Sequence, residues 1–312
     1  MENYTEKPPL TGSMHPMLSI LSMVLIAVGF LVIGQLLGLA IATATLSFSL
    51  EEFMQMLDYS EISEKERLAL FILQGCIALS AFIISPIFYL KIIEKKSLSR
   101  LSWSKLSLLA VVLTTVITFS FMPVNSFIIE WNMGLDFPDL FESWFRERED
   151  EAQQITQALT NFTSPGYFIL AFLVIAIIPA IGEELLFRGL IQNKLWEASN
   201  IHVAIWVTGI LFGVIHLQFY GVVPRILLGV LFGYLYYWSG TLWVPIIAHF
   251  FNNGITLIAL YMYNTGAINF DLENQEMPLF ILIPFILIFI AALLYFKKVM
   301  EQKKNEGLAQ GL

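Results

Sequence analysis

The sequence predicts an all-α, polytopic membrane bundle of about eight transmembrane helices. Apolar types make up 57% of the 312 residues and charged types only 13%. A soluble domain carries roughly a quarter charged residues. The apolar residues fall in runs near the 20 residues that a helix needs to cross a bilayer, and the basic residues between the runs alternate in side. Low charge and high hydrophobicity also exclude intrinsic disorder.

Charge-free intervals set the spans in order. Pro8 to Leu50 contains no Lys, Arg, Asp or Glu, and Leu18 to Phe48 within it is the first span. Leu68 to Leu90 and Leu106 to Ile129 are the second and third. The fourth starts near Tyr167 and stays apolar to Gly182. The fifth runs from Ile201 to Leu217. Ile226 to Phe270 is too long for one helix, and Ser239-Gly240 divides it into a sixth span from Val222 to Trp238 and a seventh from Thr241 to Tyr263. Met277 to Phe296 is the eighth.

Lys and Arg favour the cytoplasmic side. Lys91, Lys95, Lys96, Arg100 and Lys105 separate spans two and three, and Lys297, Lys298, Lys303 and Lys304 follow span eight. Glu51 to Glu66 and Asp271 to Glu276 are mainly acidic. Eight spans put both basic clusters inside, with both termini cytoplasmic. The lipid bilayer is then a partner. A net charge of -8 and the lack of a basic patch argue against nucleic acid. Met1 to Pro16 reads as a flexible cytoplasmic tail.

Residues 17–165 hold three spans and an amphipathic segment, in which Phe137, Leu140, Phe141, Trp144 and Phe145 recur at helical spacing among charges. This reads as a helix on the outer surface, with a lid as the alternative. Residues 166–263 carry the unusual polar groups. Residues 264–312 add the last span and a basic tail. All four parts form one integrated membrane domain. Cys76, the single cysteine, reads as a small buried thiol.

A charge at membrane depth costs a few kcal/mol or more and usually marks function. Lys194, Glu197 and Arg225 read as interfacial anchors, and His15 and His202 as incidental. Gly182-Glu183-Glu184-Leu185-Leu186-Phe187-Arg188-Gly189 differs. Glu184 and Arg188 are four apart and share a helix face. Glu183 points about 100° away and needs another partner. His216, after Phe212, lies in span five. His249 and Asn253 share a face of span seven. Gly209 with Gly213, and Gly229 with Gly233, form small-residue faces that suit close helix packing.

Glu, His and His form a ligand set for open catalytic zinc, so Glu183, His216 and His249 are candidate metal ligands. The metal-free alternative has Glu183 take a proton from water. His216 then shares that water, and His249 and Asn253 donate to the oxyanion. No His-Glu-x-x-His motif is present. Both mechanisms stay open.

Glu183-Glu184-x-x-x-Arg188, Phe212-x-x-x-His216 and His249-x-x-x-Asn253 resemble the three ordered motifs of the CPBP intramembrane proteases. These include the type II CAAX prenyl endopeptidases and the bacterial Abi proteins linked to bacteriocin immunity. The resemblance covers roughly Tyr167 to Tyr263. It implies an intramembrane endopeptidase, a hydrolase often labelled a metalloprotease. Glu183 and His216 would activate water, His249 and Asn253 would stabilise the oxyanion, and Arg188 would hold Glu184. The implied substrate is a membrane-associated peptide or protein, and the expected location is the plasma membrane of a bacterium. A transporter or proton pathway and a non-catalytic scaffold are the competing readings; a pathway needs polar groups along a route to both faces, and the other spans supply few, with Gln35, Gln74 and Asn125 scattered.

Overall fold

The computed structural model describes residues 14–56, 62–268 and 279–309, and among these the regular elements are all helices, without strands. The elements are α1 (Pro16–Leu46), α2 (Leu50–Met56), α3 (Glu64–Ile93), α4 (Leu108–Met133), α5 (Asp139–Thr160), α6 (Pro165–Ala198), α7 (Ile201–Val214), α8 (Val222–Ser239), α9 (Trp243–Asn264) and α10 (Leu279–Ala309). Most of the predicted tail (residues 1–13), the acidic loop Asp271–Glu276 and the start of the eighth span lie outside the described residues. The protein is an integral membrane protein. Seven of its described helices are long and apolar enough to cross a bilayer, namely α1, α3, α4, α6, α8 with the turn before it, α9 and α10.

Two predicted spans differ from expectation in length, in opposite directions. The fifth is α7, with 14 residues. At 1.5 Å per residue it is about 21 Å long, short of the roughly 30 Å hydrocarbon core. The fourth does not end at Gly182. It continues as α6 for 34 residues, because Glu184 and Arg188 neutralise each other and Leu185, Leu186, Leu190 and Ile191 supply a buried apolar surface. Glu183 therefore lies near the middle of a helix, and a short α7 leaves its far end in reach of that middle.

Small residues set the packing, since lipid gives helices no hydrophobic reason to associate and close van der Waals approach has to supply it. The Gly209 and Gly229 faces meet directly. A Cβ built on Gly229 would lie 2.9 Å from the Gly209 Cα, and one on Gly209 would lie 2.6 Å from Val230 Cγ2. Gly182 does the same for α6 against α3, where a Cβ would lie 2.7 Å from that of Phe82. Gly240 ends α8 with φ +64, as the Ser239-Gly240 break predicts. One apolar cluster surrounds this centre, drawing Met23 from α1, Leu90 from α3, Leu186 from α6, Phe212 from α7, Tyr236 from α8 and Ile246 from α9.

Three peripheral expectations need correction or detail. Lys194 is not an interfacial anchor. It is fully buried, 2.9 Å from Glu94 Oε1 and 3.3 Å from Glu197 Oε2, because the continued α6 carries it onto the end of α3. Cys76 is half-buried rather than buried. The predicted amphipathic helix is α5, and it packs on the connection between α7 and α8. The Phe145 ring stacks 3.9 Å from that of Phe219, and the Tyr220 hydroxyl donates to Glu142 at 2.8 Å. Leu140, Phe141 and Trp144 remain exposed on it.

Candidate functional site

α6 brings Glu183 and Glu184 to the centre between two π-helical stretches, Phe172–Ile177 and Leu185–Gln192. Such wide turns are rare and often accompany functional sites. Glu184 is fully buried. Its Oε1 accepts from Arg188 Nη1 at 2.8 Å and lies 2.9 Å from His249 Nδ1. A carboxylate oxygen only accepts, so Nδ1 carries the proton of that bond.

Arg188 is held through both terminal nitrogens, while its Nε has no hydrogen-bond partner among the described residues. Its Nη2 donates to the Gly229 carbonyl at 2.7 Å. The Phe212 ring lies 4.8 Å from its guanidinium carbon and the Phe232 ring 5.4 Å from it. A guanidinium over aromatic faces gains cation–π attraction, which is larger away from water. Gly229 serves twice, since its missing side chain admits α7 and its carbonyl receives Arg188.

Glu183 is 7% exposed and its Oε2 makes no hydrogen bond. The nearest cationic candidate is His249, whose Nε2 lies 4.0 Å from that oxygen. A buried carboxylate oxygen without a partner is costly. Glu184 Oε2 is unbonded too, but the other oxygen of Glu184 is engaged by Arg188 and His249. His249 thus faces both glutamates, one through each ring nitrogen.

His216 stands two residues beyond α7, in a turn. Its Nδ1 lies 2.8 Å from the Phe212 carbonyl. That carbonyl only accepts, so Nδ1 bears the proton and Nε2 keeps its lone pair. The Phe212 ring is 5.4 Å from His216 and 5.8 Å from His249. His216 therefore joins the cluster across Phe212, and among the described residues no hydrogen bond or ion pair links it to Glu183.

Asn253 has a partner that its own helix does not suggest. Its Nδ2 donates to the Ile175 carbonyl at 3.0 Å, and its Oδ1 accepts from Asn252 at 3.1 Å. Ile175 lies four residues before Pro179, which has no N–H to offer that carbonyl. Asn253 supplies the missing donor and ties α9 to α6. An amide nitrogen carries two N–H groups, so a second donor remains.

Among the described residues, no three His, Cys, Asp or Glu side chains are grouped to hold a metal ion. His216 stands across Phe212 from His249. In this arrangement the candidate ligands Glu183, His216 and His249 are not grouped to hold zinc. Sequence reasoning missed Phe232, which stacks 5.3 Å from His249. The signal was its place in the turn between Gly229 and Gly233. It also missed the Ile175 carbonyl, which Pro179 could have flagged.

Residues 165–255 match the family described as Rce1-like, type II CAAX prenyl endopeptidase. That segment contains every predicted site residue. Over 89 residues the chain is 32% identical to the Bacillus subtilis protein named "Putative membrane peptidase YdiL", which covers 28% of this chain and 36% of that one. Over 111 residues it is 27% identical to "Uncharacterized protein YpbD" of the same organism, covering 34% and 52%. The chain thus spans between a third and just over half of the length of these curated relatives. No solved structure matches it.

Proposed function

Because residues 165–255 belong to the CPBP family through its Rce1-like members, we propose that the protein is an intramembrane endopeptidase acting on a membrane-associated peptide or protein. One observation carries this reading. Glu183 keeps a carboxylate oxygen unbonded in a buried, aromatic-walled centre, facing a histidine that the Glu184–Arg188 ion pair holds in place.

In this mechanism Glu183 Oε2 takes a proton from water. The water oxygen attacks the scissile carbonyl carbon, and the carbonyl oxygen takes up the negative charge. His249 enters the cycle as the imidazolium, so its Nε2–H and the second N–H of Asn253 donate to that oxyanion, and both keep their protons throughout. The C–N bond then breaks, and the proton held by Glu183 passes to the leaving nitrogen. His216 Nε2 orients the water. Glu184 and Arg188 do not touch substrate. They fix the orientation of the His249 ring, as the buried carboxylate does in other histidine-based hydrolases. No step requires a metal ion.

The chain would act in a bacterial plasma membrane with both termini cytoplasmic, the short α7 and the turn after it making the remaining crossing, a placement that the basic segments after α3 and along the end of α10 support. The test compares the N-termini of membrane proteins from cells expressing the native chain and Glu183→Gln at matched levels. Termini present only with the native chain are expected, with at least a hundredfold loss in the variant, since general base catalysis contributes on the order of 10²–10⁴. Identical profiles from two folded proteins overturn the reading.

A further inference from the structure

We propose that Asn132, in the last turn of α4, is a positioning residue for His216. Its side-chain amide closes the connection Ile215–Gly221 that carries the imidazole. The proposal rests on the reading of His216 given above only for its effect on cleavage.

His216 is outside any helix, and its neighbours Ile215 and Leu217 tie only the near end of the turn, to the Leu211 and Val214 carbonyls of α7. The next residue, Leu217, has φ +54, in the left-handed region that a non-glycine residue enters at a cost. Such a conformation persists only when its surroundings impose it. Asn132 is the buried side chain that does so. It is fully inaccessible, its Nδ2 donates to the Phe219 carbonyl at 3.1 Å, and its Oδ1 accepts from the Val223 N–H at 2.8 Å. Both backbone partners are one-way groups, so the amide has one orientation. Val223 sits in the first turn of α8, where N–H groups lack helical acceptors. Asn132 thus caps α8 from another helix and pins the far end of the turn. The bonds from α5, Glu142 to Tyr220 and Glu149 to Gln218, reach side chains only. Beyond its near end, the backbone of the turn is held from α4, with one longer contact of 3.5 Å from Arg225 of α8 to the Gln218 carbonyl.

The experiment uses the full chain in lipid nanodiscs with ¹⁵N-histidine, the His216 signals being assigned by their absence in His216→Gln. Native protein should show His216 as the single Nδ1–H tautomer bonded to Phe212. Asn132→Asp keeps the acceptor for Val223 and loses the donor to Phe219. Asn132→Leu loses both, and the Asp variant keeps the test open if the Leu variant does not fold. Both variants should show mixed His216 tautomers. Product termini should fall on the order of tenfold to a hundredfold, the effect of about an ångström of misplacement. In the His216→Gln background neither variant should lower product further. Unchanged His216 tautomers in a folded Asn132 variant, or an added loss in the His216→Gln background, overturn the proposal. If the native chain yields no product, the endopeptidase reading falls, and the tautomer spectrum still decides the role of Asn132.

Discussion

Glu184 and His249 are joined across α6 and α9 by a 2.9 Å contact between Oε1 and Nδ1, and Arg188 shares the same oxygen at 2.8 Å. One buried acceptor therefore sets both the charge balance and the orientation of the ring that faces Glu183.

Removing Arg188 tests this directly. Arg188→Met leaves Glu184 buried and uncompensated. The expected loss is about 3–5 kcal/mol of stability, read from denaturant unfolding in detergent. Adding Glu184→Gln should recover part of it, because the orphaned charge is then gone. A single variant as stable as the native chain would show that the pair is not closed.

Gly229 makes the second prediction. Its built Cβ meets backbone, the Gly209 Cα, rather than a flexible side-chain end. Gly229→Ala should cost about 1–3 kcal/mol and disturb the carbonyl that receives Arg188. Gly29→Ala in α1 is the control, with open space around the new methyl, and should be neutral or slightly stabilising. Equal unfolding midpoints for the two variants would contradict the close approach of α7 and α8.

Acid should loosen α5. The Tyr220 hydroxyl, ahead of Arg146, holds the Glu142 carboxyl below its ordinary range. A depressed folded value means the stabilisation is complete above the ordinary value of 4.5. It is lost as pH falls through the lower folded value. Thermal midpoints of the native chain and Glu142→Gln should differ at neutral pH and converge in acid. A gap that widens in acid would reverse the sign and exclude this role.

Chelation separates the two chemistries that the sequence left open. Cleavage should continue after dialysis against a zinc chelator, because the described residues offer no group of three donors. Loss of product on chelation, restored by added zinc, would refute the metal-free mechanism.

Much of the bundle is readable in the sequence because charge is expensive in lipid, so its absence outlines helices. The Gly209/Gly213 and Gly229/Gly233 spacings, and the four-residue step from Glu184 to Arg188, are local patterns that survive folding unchanged. The length of α6 and the shortness of α7 are less legible. A paired charge reads in sequence like any other charge, so Glu183 to Arg188 looked like the end of a span, and no charge marks where α7 stops. The burial of Lys194 depends on Glu94, a hundred positions away. The bond of Asn253 depends on a carbonyl of another helix, visible only as a missing N–H at Pro179.

That last bond divides the residues of the centre into two kinds of witness. Asn253 fastens α9 to the carbonyl that Pro179 leaves open. A descendant that had lost every substrate would still fold worse without it. Selection for folding alone can therefore preserve the asparagine in a chain that cuts nothing. The unbonded oxygen of Glu183 fastens nothing. A glutamate retained there, against its own cost of burial, is the better sign that a lineage still performs chemistry.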